Sequence, residues 1–307
     1  MTRNIKMIKR FGIILFALFI LYAVKAYGNT GFNFLKMEFS PKYISTAGTI
    51  DLFSGEGNNI NYNPANLSRT EKTSFDLSYR RYIEDGNIGQ IAFSKKLQGK
   101  GAFGFTVSYF YMDGFEGYIK PMDEAQFDFS ASSLILGFGY CYEFLDDLSI
   151  GISTKYLAEK IDTDDADGYS LSLGGKYDNI FGFKNTNFSA VVKNYGSMNK
   201  MLNEESKLPF STSIGIGHFF IINDYKVLLG LNDEYFIDDE INILNFGTEL
   251  SFKDRFFVRA GYRYGNEGIP YSLGLGFNIS RYNIDYSFSP FTDGIGYNHG
   301  LSLKIKI

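Results

Sequence analysis

Residues 271–289 have the sequence YSLGLGFNISRYNIDYSFS, and this stretch decides the fold. Before the Ser280-Arg281 join, large apolar side chains alternate with Gly, Ser and Asn, and after it they alternate with Asn, Asp and Ser. Strict period-two alternation is the signature of a β-strand with two unlike faces. The stretch therefore predicts two antiparallel strands joined by a tight turn.

The same alternation recurs from Phe75 to the end of the chain and defines fourteen candidate strands. Their predicted bounds are Ser74–Tyr82, Ile88–Leu97, Ala102–Met112, Phe127–Phe144, Leu148–Lys160, Tyr169–Tyr177, Thr186–Asn194, Phe210–Ile221, Tyr225–Phe236, Ile241–Phe252, Arg255–Tyr264, Tyr271–Ile279, Tyr282–Ser289 and Tyr297–Ile307. The long fourth run changes phase near Ser130, Ser132 and Ser133, which predicts a β-bulge in that strand.

The joins between these runs alternate in length. Joins after even-numbered runs are short, such as Asp146–Asp147 and Asn223–Asp224, whereas those after odd-numbered runs include Asp113–Gln126 and Tyr195–Pro209. This asymmetry is typical of outer-membrane barrels. A secreted β-sandwich is the alternative, but aromatic residues on one face and polar residues on the other favour a wall that faces lipid. We therefore predict an all-β fold, a transmembrane up-and-down antiparallel β-barrel of about fourteen strands over residues 73–307.

The composition agrees with a barrel. The 307 residues include 31 Phe, 23 Tyr and 33 Gly but no Trp, and the net charge is −4. Because a barrel sends alternate residues to lipid and to a polar interior, its mean hydropathy can be slightly polar, as it is here. The charged side chains on the polar faces are predicted to point into the lumen; they are Arg259, Arg263, Asp285, Lys304 and Lys306.

The N-terminus has the pattern of a secretory signal peptide. Lys6, Lys9 and Arg10 precede an apolar run over Phe11–Val24, and small residues follow up to Gly28. The run is short against the roughly 20 apolar residues that a membrane helix needs. We expect a Sec-type signal peptide over residues 1–28 and export to the outer membrane of a diderm bacterium. An uncleaved anchor is the alternative, and the cleavage site stays open.

Few side chains suit catalysis or a cofactor. The single cysteine, Cys141, excludes a disulfide framework, and the two histidines, His218 and His299, have no acidic or serine partner at a useful spacing. Without basic runs the chain has no electrostatic footprint for nucleic acid. We predict a protein that is not an enzyme, has no cofactor and does not bind nucleic acid.

The acidic run DTDDADG over Asp162–Gly168 invites comparison with a calcium loop. The EF-hand register fails, because Ala166 and Asp167 stand where a ligand and a glycine are expected and no Glu follows at the twelfth position. A solvated external loop is therefore expected here, and calcium binding is left open.

The segment Asn29–Ser68 lacks strand periodicity and carries an ordered set of short motifs. It contains Phe34-Leu35-Lys36, Phe39-Ser40-Pro41-Lys42, Ala47-Gly48 and, just before the first strand, Asn63-Pro64-Ala65-Asn66-Leu67. This order resembles the FadL-like outer-membrane proteins and, within them, the PorV/PorQ-type branch. The chain departs from that pattern in Gly48-Thr49, in Glu56-Gly57-Asn58-Asn59 ahead of the Asn-Pro-Ala motif, and in its terminal Ile307.

The resemblance implies that residues 29–72 fold into the lumen as a hatch. Its candidate gating residues are Gly48, Asn63, Pro64, Ala65 and Leu67. A fourteen-strand barrel is wider than the eight-strand case that side chains can fill, so its lumen needs another occupant. Pro64 restricts Asn63 to an extended conformation, and the Asn63 side chain can cap the local turn. A structural turn that leads into the first strand fits these residues equally well.

The resemblance further implies passive uptake of hydrophobic solutes such as long-chain fatty acids, with outer-membrane lipid and hydrophobic small molecules as partners. Uptake would need movement of the hatch and a lateral opening where strand pairing is weakest, for which Ser130–Ser133 is the candidate. The alternative implied by the resemblance is an accessory protein of type IX secretion that binds secreted protein partners. The solute and the oligomeric state stay open.

Overall fold

The alternating segments form one closed barrel. The structure, a computed structural model, describes residues 30–83, 86–117, 127–201, 207–266, 268–294 and 296–307, so the predicted signal peptide lies outside the described residues. The fourteen antiparallel strands are β1 Ser74–Arg81, β2 Asn87–Lys96, β3 Gly101–Gly117, β4 Phe127–Leu145, β5 Leu148–Ile161, β6 Asp164–Tyr177, β7 Thr186–Met198, β8 Ser211–Ile222, β9 Tyr225–Phe236, β10 Ile241–Phe252, β11 Phe256–Tyr264, β12 Tyr271–Ile279, β13 Tyr282–Pro290 and β14 Tyr297–Lys306. Consecutive strands pair, and β14 pairs with β1. The predicted up-and-down barrel of fourteen strands is confirmed.

The wall has an apolar outer face and a polar inner face. On β12, Leu273 is 56% exposed whereas its neighbour Ser272 is 1% exposed. A soluble sandwich would bury its apolar face, so that alternative is excluded; lipid is the medium in which an outward apolar band is stable. Among the described residues, no helix is long and apolar enough to cross a bilayer.

The two ends of the barrel differ. The end where even-numbered strands join their successors, and where β1 begins and β14 ends, is called the turn end; the opposite end is called the loop end. At the loop end the predicted solvated loop over Asp162–Gly168 is wrong, because β6 already starts at Asp164 and pairs with β5. Alternation continues there, with Asp165 exposed and Ala166 buried towards the lumen. Here the apolar side chain faces inwards and the charged one outwards, because the wall extends beyond its apolar band and an outward carboxylate is solvated.

The bulge predicted near Ser130–Ser133 is present only beside Ser130, and its extra residue lies on β3 and not on β4. Ser132 and Ser133 pair in continuous register with both β3 and β5. The register shift lies on the neighbouring strand β3, between Met112 and Phe115. The apolar phase of β4 changes because its odd-numbered positions face the lumen, where Ile135 is fully buried in an apolar cluster.

Residues 30–72, called here the lumen segment, lie inside the barrel. The segment is built from the 3-10 turns Asn33–Lys36, Thr49–Leu52 and Pro64–Arg69 and the α-helical turns Pro41–Ile44 and Asn59–Tyr62. Two further 3-10 turns, Ile180–Gly182 and Thr292–Gly294, lie in joins between strands. The segment starts at the loop end, where the Gly31 N–H donates to the Lys207 carbonyl (2.9 Å), and it descends to the turn end, where β1 begins.

The hydrophobic core lies in the lumen, where three apolar clusters join the lumen segment to the wall. The largest, near the loop end, consists of Phe32, Phe34, Phe39, Ile88, Ile135, Leu157, Ala166, Met198 and Leu208. The second consists of Ile60, Leu67, Ala102 and Cys141, and the third of Tyr43, Ile50 and Leu228. Cys141 is therefore a small buried side chain that packs against the lumen segment.

Candidate functional site

The Asn-Pro-Ala motif is fastened to the wall through Asn63. Its backbone is extended (φ −141°, ψ 107°), and its Oδ1 accepts a hydrogen bond from the Ala65 N–H (3.0 Å). The Asn63 Nδ2 donates to the Gly175 carbonyl (3.0 Å) and to the Ser189 hydroxyl (3.2 Å). One amide therefore caps the 3-10 turn that starts at Pro64 and also ties it to β6 and β7. The predicted extended conformation and side-chain cap are both present.

The wall behind this motif is lined by glycine. A Cβ at Gly151 on β5 would overlap the backbone of Pro64 and Ala65, so only glycine allows the turn to approach so closely. Leu67 is fully buried beside Ile60 in the second apolar cluster. Pro64, Ala65 and Leu67 thus lie in close contact with β3–β6, and this region is called the glycine cradle.

Gly48 lies at a tight turn on the opposite side of the lumen segment. Its φ of 78° is left-handed, and its N–H donates to the Tyr43 carbonyl (2.9 Å). A Cβ there would lie 3.1 Å from the Glu38 Oε1 atom. The residues on both sides of this turn, from Thr46 to Phe53, rest on a row of glycines that pair across four strands, which are Gly217, Gly230, Gly247 and Gly261.

Most of the predicted lumen-facing charges form buried ion pairs. Arg259 is 2% exposed and donates from Nε to Glu249 (2.6 Å) and from Nη1 to Asp285 (2.6 Å). Arg263 pairs with Glu38 of the lumen segment and donates to the Ile44 carbonyl (3.2 Å). All three predicted residues Arg259, Arg263 and Asp285 therefore face inwards.

Glu56 of the lumen segment lies between two lysines. Its carboxylate is 2.7 Å from the Lys304 Nζ of β14 and 2.9 Å from the Lys42 Nζ. Burial alone would raise the pKa of Glu56, but the charges of Lys304 and Lys42 outweigh it and hold that pKa well below its usual range. Lys306 has the same strand phase as Lys304 but is exposed at the end of β14. Of the two lysines predicted to face the lumen, Lys304 is the one that pairs with Glu56 of the lumen segment.

Ionic contacts also fix both ends of the lumen segment. At the turn end Arg69 pairs with Asp178 and donates to the Leu52 carbonyl. At the loop end the Asp239 carboxylate accepts from the Thr30 N–H (3.0 Å), the Thr30 hydroxyl (2.7 Å) and the Lys36 Nζ (2.7 Å). No spacing signal in the sequence links Asp239 to residues two hundred positions earlier.

Asp51 is a buried carboxylate that two amides hold. The Asn59 Nδ2 donates to Oδ1 (2.5 Å) and the Asn66 Nδ2 to Oδ2 (2.7 Å). Burial raises the pKa of Asp51 to about 7, more than these hydrogen bonds lower it. The charge state of the lumen segment therefore changes close to neutral pH.

A cavity of about 370 Å³ lies between the lumen segment and the wall, towards the loop end. Its lining mixes apolar side chains, such as Met37 and Phe236, with polar ones, such as Asn232. Two buried cations of the wall, Arg80 and Lys155, also line it. A mixed apolar and polar lining is typical of sites for small organic molecules.

Among the described residues, the pairing of β7 with β8 stops short of the loop end. It ends at Lys193 and Ser211, whereas β7 continues to Met198 and is paired there with β6. The register of β6 and β7 shifts next to Asn194, whose φ is 60°. This part of the wall, β7 from residue 194 to 198 and residues 207–210 before β8, is called the β7–β8 seam.

One side-chain hydrogen bond of Asn194 spans the seam where backbone pairing stops, and two further hydrogen bonds tie Asn194 to β5 and β6. The Asn194 Nδ2 donates to the Pro209 carbonyl (3.3 Å), and its Oδ1 accepts from the Lys155 Nζ (3.2 Å). The Asn194 N–H donates to the Ser172 hydroxyl (3.2 Å). Asn194 is thus a seam residue that the sequence placed only at the end of a predicted strand.

The described residues bring together no catalytic constellation. His218 meets the Thr186 hydroxyl (2.8 Å) and His299 the Tyr286 hydroxyl (2.8 Å), each without a carboxylate in the same hydrogen-bonded set. Within the described ranges no group of three or more His, Cys, Asp or Glu side chains is arranged to hold a metal ion.

Comparisons with solved structures show which proteins share this fold. The CymD monoaromatic hydrocarbon channel matches with a TM-score of 0.61 and 13% identity, over 88% of this chain and 97% of that chain. The deltaS2S3 mutant of the TodX monoaromatic hydrocarbon channel matches with a TM-score of 0.64 and 13% identity, over 88% and 99%. A FadL homologue from Pseudomonas aeruginosa matches with a TM-score of 0.58 and 10% identity, over 92% and 100%.

At such low identity these matches show the fold alone, which is the FadL-like barrel. No protein-family model matches the chain, and a search of curated proteins found no match either.

Proposed function

We propose that this protein is an outer-membrane channel for passive uptake of hydrophobic solutes, with the lumen segment as its hatch. The observation that carries the proposal is a lumen that is packed shut at the turn end and contains a cavity towards the loop end. The neighbours in fold named as hydrocarbon channels support the same class of solute. Long-chain fatty acids are a second candidate solute of that class.

Uptake on this proposal has two stages. A solute enters the cavity from the loop end and then leaves sideways into lipid, since an apolar molecule gains little by crossing a polar lumen. We place the lateral exit at the β7–β8 seam, because there the hydrogen bond from the Asn194 side chain to the Pro209 carbonyl takes the place of backbone pairing among the described residues. In the serine stretch of β4, predicted as the exit, Ser132 and Ser133 pair with both neighbouring strands, and only the position beside Ser130 has a register shift.

The hatch role of the lumen segment rests on its contacts. Asn63, Pro64, Ala65 and Leu67 close the glycine cradle, and Gly48 provides the turn that lets the preceding backbone fold back. Movement of these residues would open a path between the cavity and the turn end. The segment is joined covalently to β1 and by ion pairs elsewhere, so it can shift without leaving the barrel.

The test compares cells whose outer membrane carries the native protein, a variant lacking residues 30–68, or no channel of this kind. We expect the native protein to accelerate entry of labelled toluene or oleate severalfold over the empty membrane. The deletion variant, if folded, is expected to admit small hydrophilic sugars that the native protein excludes. Equal uptake with and without the native protein would contradict the channel proposal, and a folded deletion variant that excludes sugars would contradict the hatch.

The same cells also test the second candidate function, that of an accessory protein. An accessory protein of type IX secretion would bind no solute and would co-purify with a secreted protein. Its binding loops would include residues 118–126 and 202–206, which lie outside the described residues. No contact in the described part of the chain favours that role over a channel, so we retain it only as an outcome of the uptake test.

A further inference from the structure

The cavity is bordered by a buried guanidinium whose hydrogen-bonding edge is free. Arg80 of β1 is 3% exposed, and its Nε and Nη2 atoms have no hydrogen-bond partner among the described residues. The Tyr82 ring lies 5.2 Å from the guanidinium carbon. Burying an arginine with unpaired donors is costly, so such a group indicates a ligand that completes it.

The charged side chains that the structure describes around the cavity do not supply that partner. Glu38, the carboxylate of the lumen segment on this side of the cavity, is engaged by Arg263. On the opposite wall Glu234 pairs with Lys193 (2.5 Å), and the buried Lys155 donates only to the Asn194 amide oxygen. Asp51 also lines the cavity, but the Asn59 and Asn66 amides occupy its two oxygens. Arg80 and Lys155 thus give the cavity two cations without a carboxylate partner in the described structure.

Other unpaired donors border the same space. Asn298 of β14 is 2% exposed, and neither its Nδ2 nor its Oδ1 has a partner within the described residues. The Tyr62 hydroxyl, likewise unpaired there, lines the cavity from the lumen segment. Beside Arg80, the Tyr82 and Phe291 rings meet edge to face with centroids 5.2 Å apart. The site therefore combines an anion-binding edge with an aromatic wall.

We propose that this cavity binds an organic monocarboxylate with a small, one-ring apolar body, and that Arg80 holds its carboxylate. The inference rests on the proposed uptake function and narrows its substrate class from any hydrophobic solute to one with an acidic head group. The Nε and Nη2 atoms form the edge of a guanidinium that meets two carboxylate oxygens side by side. Lys155 attracts the carboxylate from the opposite wall, and the Tyr82 and Phe291 side chains contact the ring of the ligand.

The cavity is large enough for such a ligand. Its volume of about 370 Å³ lies within the range of small-molecule sites, and a cavity of about 150 Å³ already holds benzene. The Tyr82 and Phe291 rings beside Arg80 favour an aromatic ring as the apolar body.

The experiment uses the full-length protein, purified in detergent, and isothermal titration calorimetry with benzoate and benzamide, which have the same shape but differ in charge. We expect benzoate to bind roughly tenfold tighter or more, as charge-assisted pairing predicts. Arg80→Gln should lower the benzoate affinity to that of benzamide and leave benzamide binding unchanged. Lys306→Gln removes one positive charge from the exposed strand end and should change neither affinity.

Several outcomes would overturn the inference. These are equal affinities for benzoate and benzamide in the native protein, tighter binding of phenyl phosphate than of benzoate, or undiminished benzoate binding by folded Arg80→Gln. If that variant does not fold, the comparison of ligands in the native protein decides alone. Toluene uptake without charge preference would overturn this inference and leave the channel proposal intact, whereas charge-selective binding without uptake of any solute would do the reverse.

Discussion

The two halves of the lumen are closed in different ways. Towards the turn end, the glycine cradle and the ion pair of Glu56 with Lys304 hold the lumen segment in close contact with the wall. Towards the loop end, apolar and ionic contacts hold the segment to part of the wall, and a cavity of about 370 Å³ separates it from the rest. The barrel is thus a cup whose base is made by close packing, and on the proposed function a solute can enter only as far as that base.

This difference indicates which part of the barrel costs more free energy to open. Displacing the base would separate a buried ion pair and expose apolar side chains, whereas the loop end already accommodates an occupant. Opening the turn end is therefore costly, whereas one side-chain hydrogen bond, from Asn194 to the Pro209 carbonyl, spans the β7–β8 seam. On the proposed function, the seam is the less costly exit.

The largest effect is expected from Glu56→Gln at the base. The substitution leaves Lys304 and Lys42 without their carboxylate, and breaking a buried pair in this way costs about 3–5 kcal/mol. Amide hydrogen exchange of residues 59–68 should report a drop of that size in the free energy of local opening.

The double variant Glu56→Gln/Lys304→Met is the control for this effect. By removing one of the two uncompensated charges it should recover part of the loss. Unchanged protection of residues 59–68 in Glu56→Gln would show that the ion pair does not hold the base.

A smaller loss is expected from Gly151→Val, which fills the cradle behind Pro64 and Ala65. Overpacking costs about 1–3 kcal/mol. A cost of this size lowers the ratio of docked lumen segment (packed against the wall, as in the structure) to undocked segment by roughly 5–150-fold. Liposome swelling with small sugars should reveal the leak.

Gly89→Val provides the matched control, because a Cβ at Gly89 would meet no atom within 4 Å. It adds the same side chain to a strand of the same wall. Comparable leakage from both variants would mean that strand distortion, not displacement of the lumen segment, opens the pore.

At the seam, Asn194→Gly removes both side-chain hydrogen bonds and keeps a residue that tolerates the φ of 60°. Two hydrogen bonds contribute about 2 kcal/mol together. Exchange of amides 194–198 should accelerate accordingly, and solute uptake should rise if the seam is the exit.

Asn223→Gly is the matched substitution, since Asn223 has a similar φ of 54° but lies in the β8–β9 turn. It should affect neither the amides of the seam nor uptake. Faster exchange at the seam without any change in uptake would place the exit elsewhere.

The smallest effect concerns pH at the base. Burial raises the pKa of Asp51 from 3.8 to about 7, so the docked segment binds a proton that the undocked segment releases. Docking should therefore strengthen as the pH falls from 8.5 to 6, by about 1.4 kcal/mol, and the gain should level off near pH 4.

Asp51→Asn should remove this contribution from the pH profile of exchange at residues 59–68. A docking free energy of the native protein that weakens on acidification over the same range would contradict the assignment of a raised pKa to this carboxylate.

The sequence predicted the barrel more fully than the site. Alternation in stretches such as Tyr271–Ile279 depends only on neighbouring residues, so the strand count and most bounds followed from it. It failed in β4 and at the start of β6, where Ile135 and Ala166 face inwards and reverse the usual apolar-out pattern. Both residues contact the apolar cluster of the lumen segment, which local sequence cannot reveal.

Some of the site residues could likewise be predicted from the sequence, and others could not. Asn63 and Pro64 were found because a cap and its turn are neighbours in sequence, and Arg259 and Asp285 because strand phase gives their direction. The partners of Glu56, Asp239 and Asn194 were not predicted, since each contact joins segments that are far apart in the chain or on different strands. Arg80 was missed although its phase points inwards.

By itself the sequence determined that this chain forms a lipid-facing β-barrel of fourteen strands, because period-two alternation needs only the two faces of a strand and the medium that each face meets. Only the tertiary structure decided how the lumen is occupied. Closing the barrel brings the lumen segment against inward faces from every side, and it places Arg80 beside a cavity and Asn194 across the seam. Such contacts depend on distance in space, and strand periodicity contains no information about it.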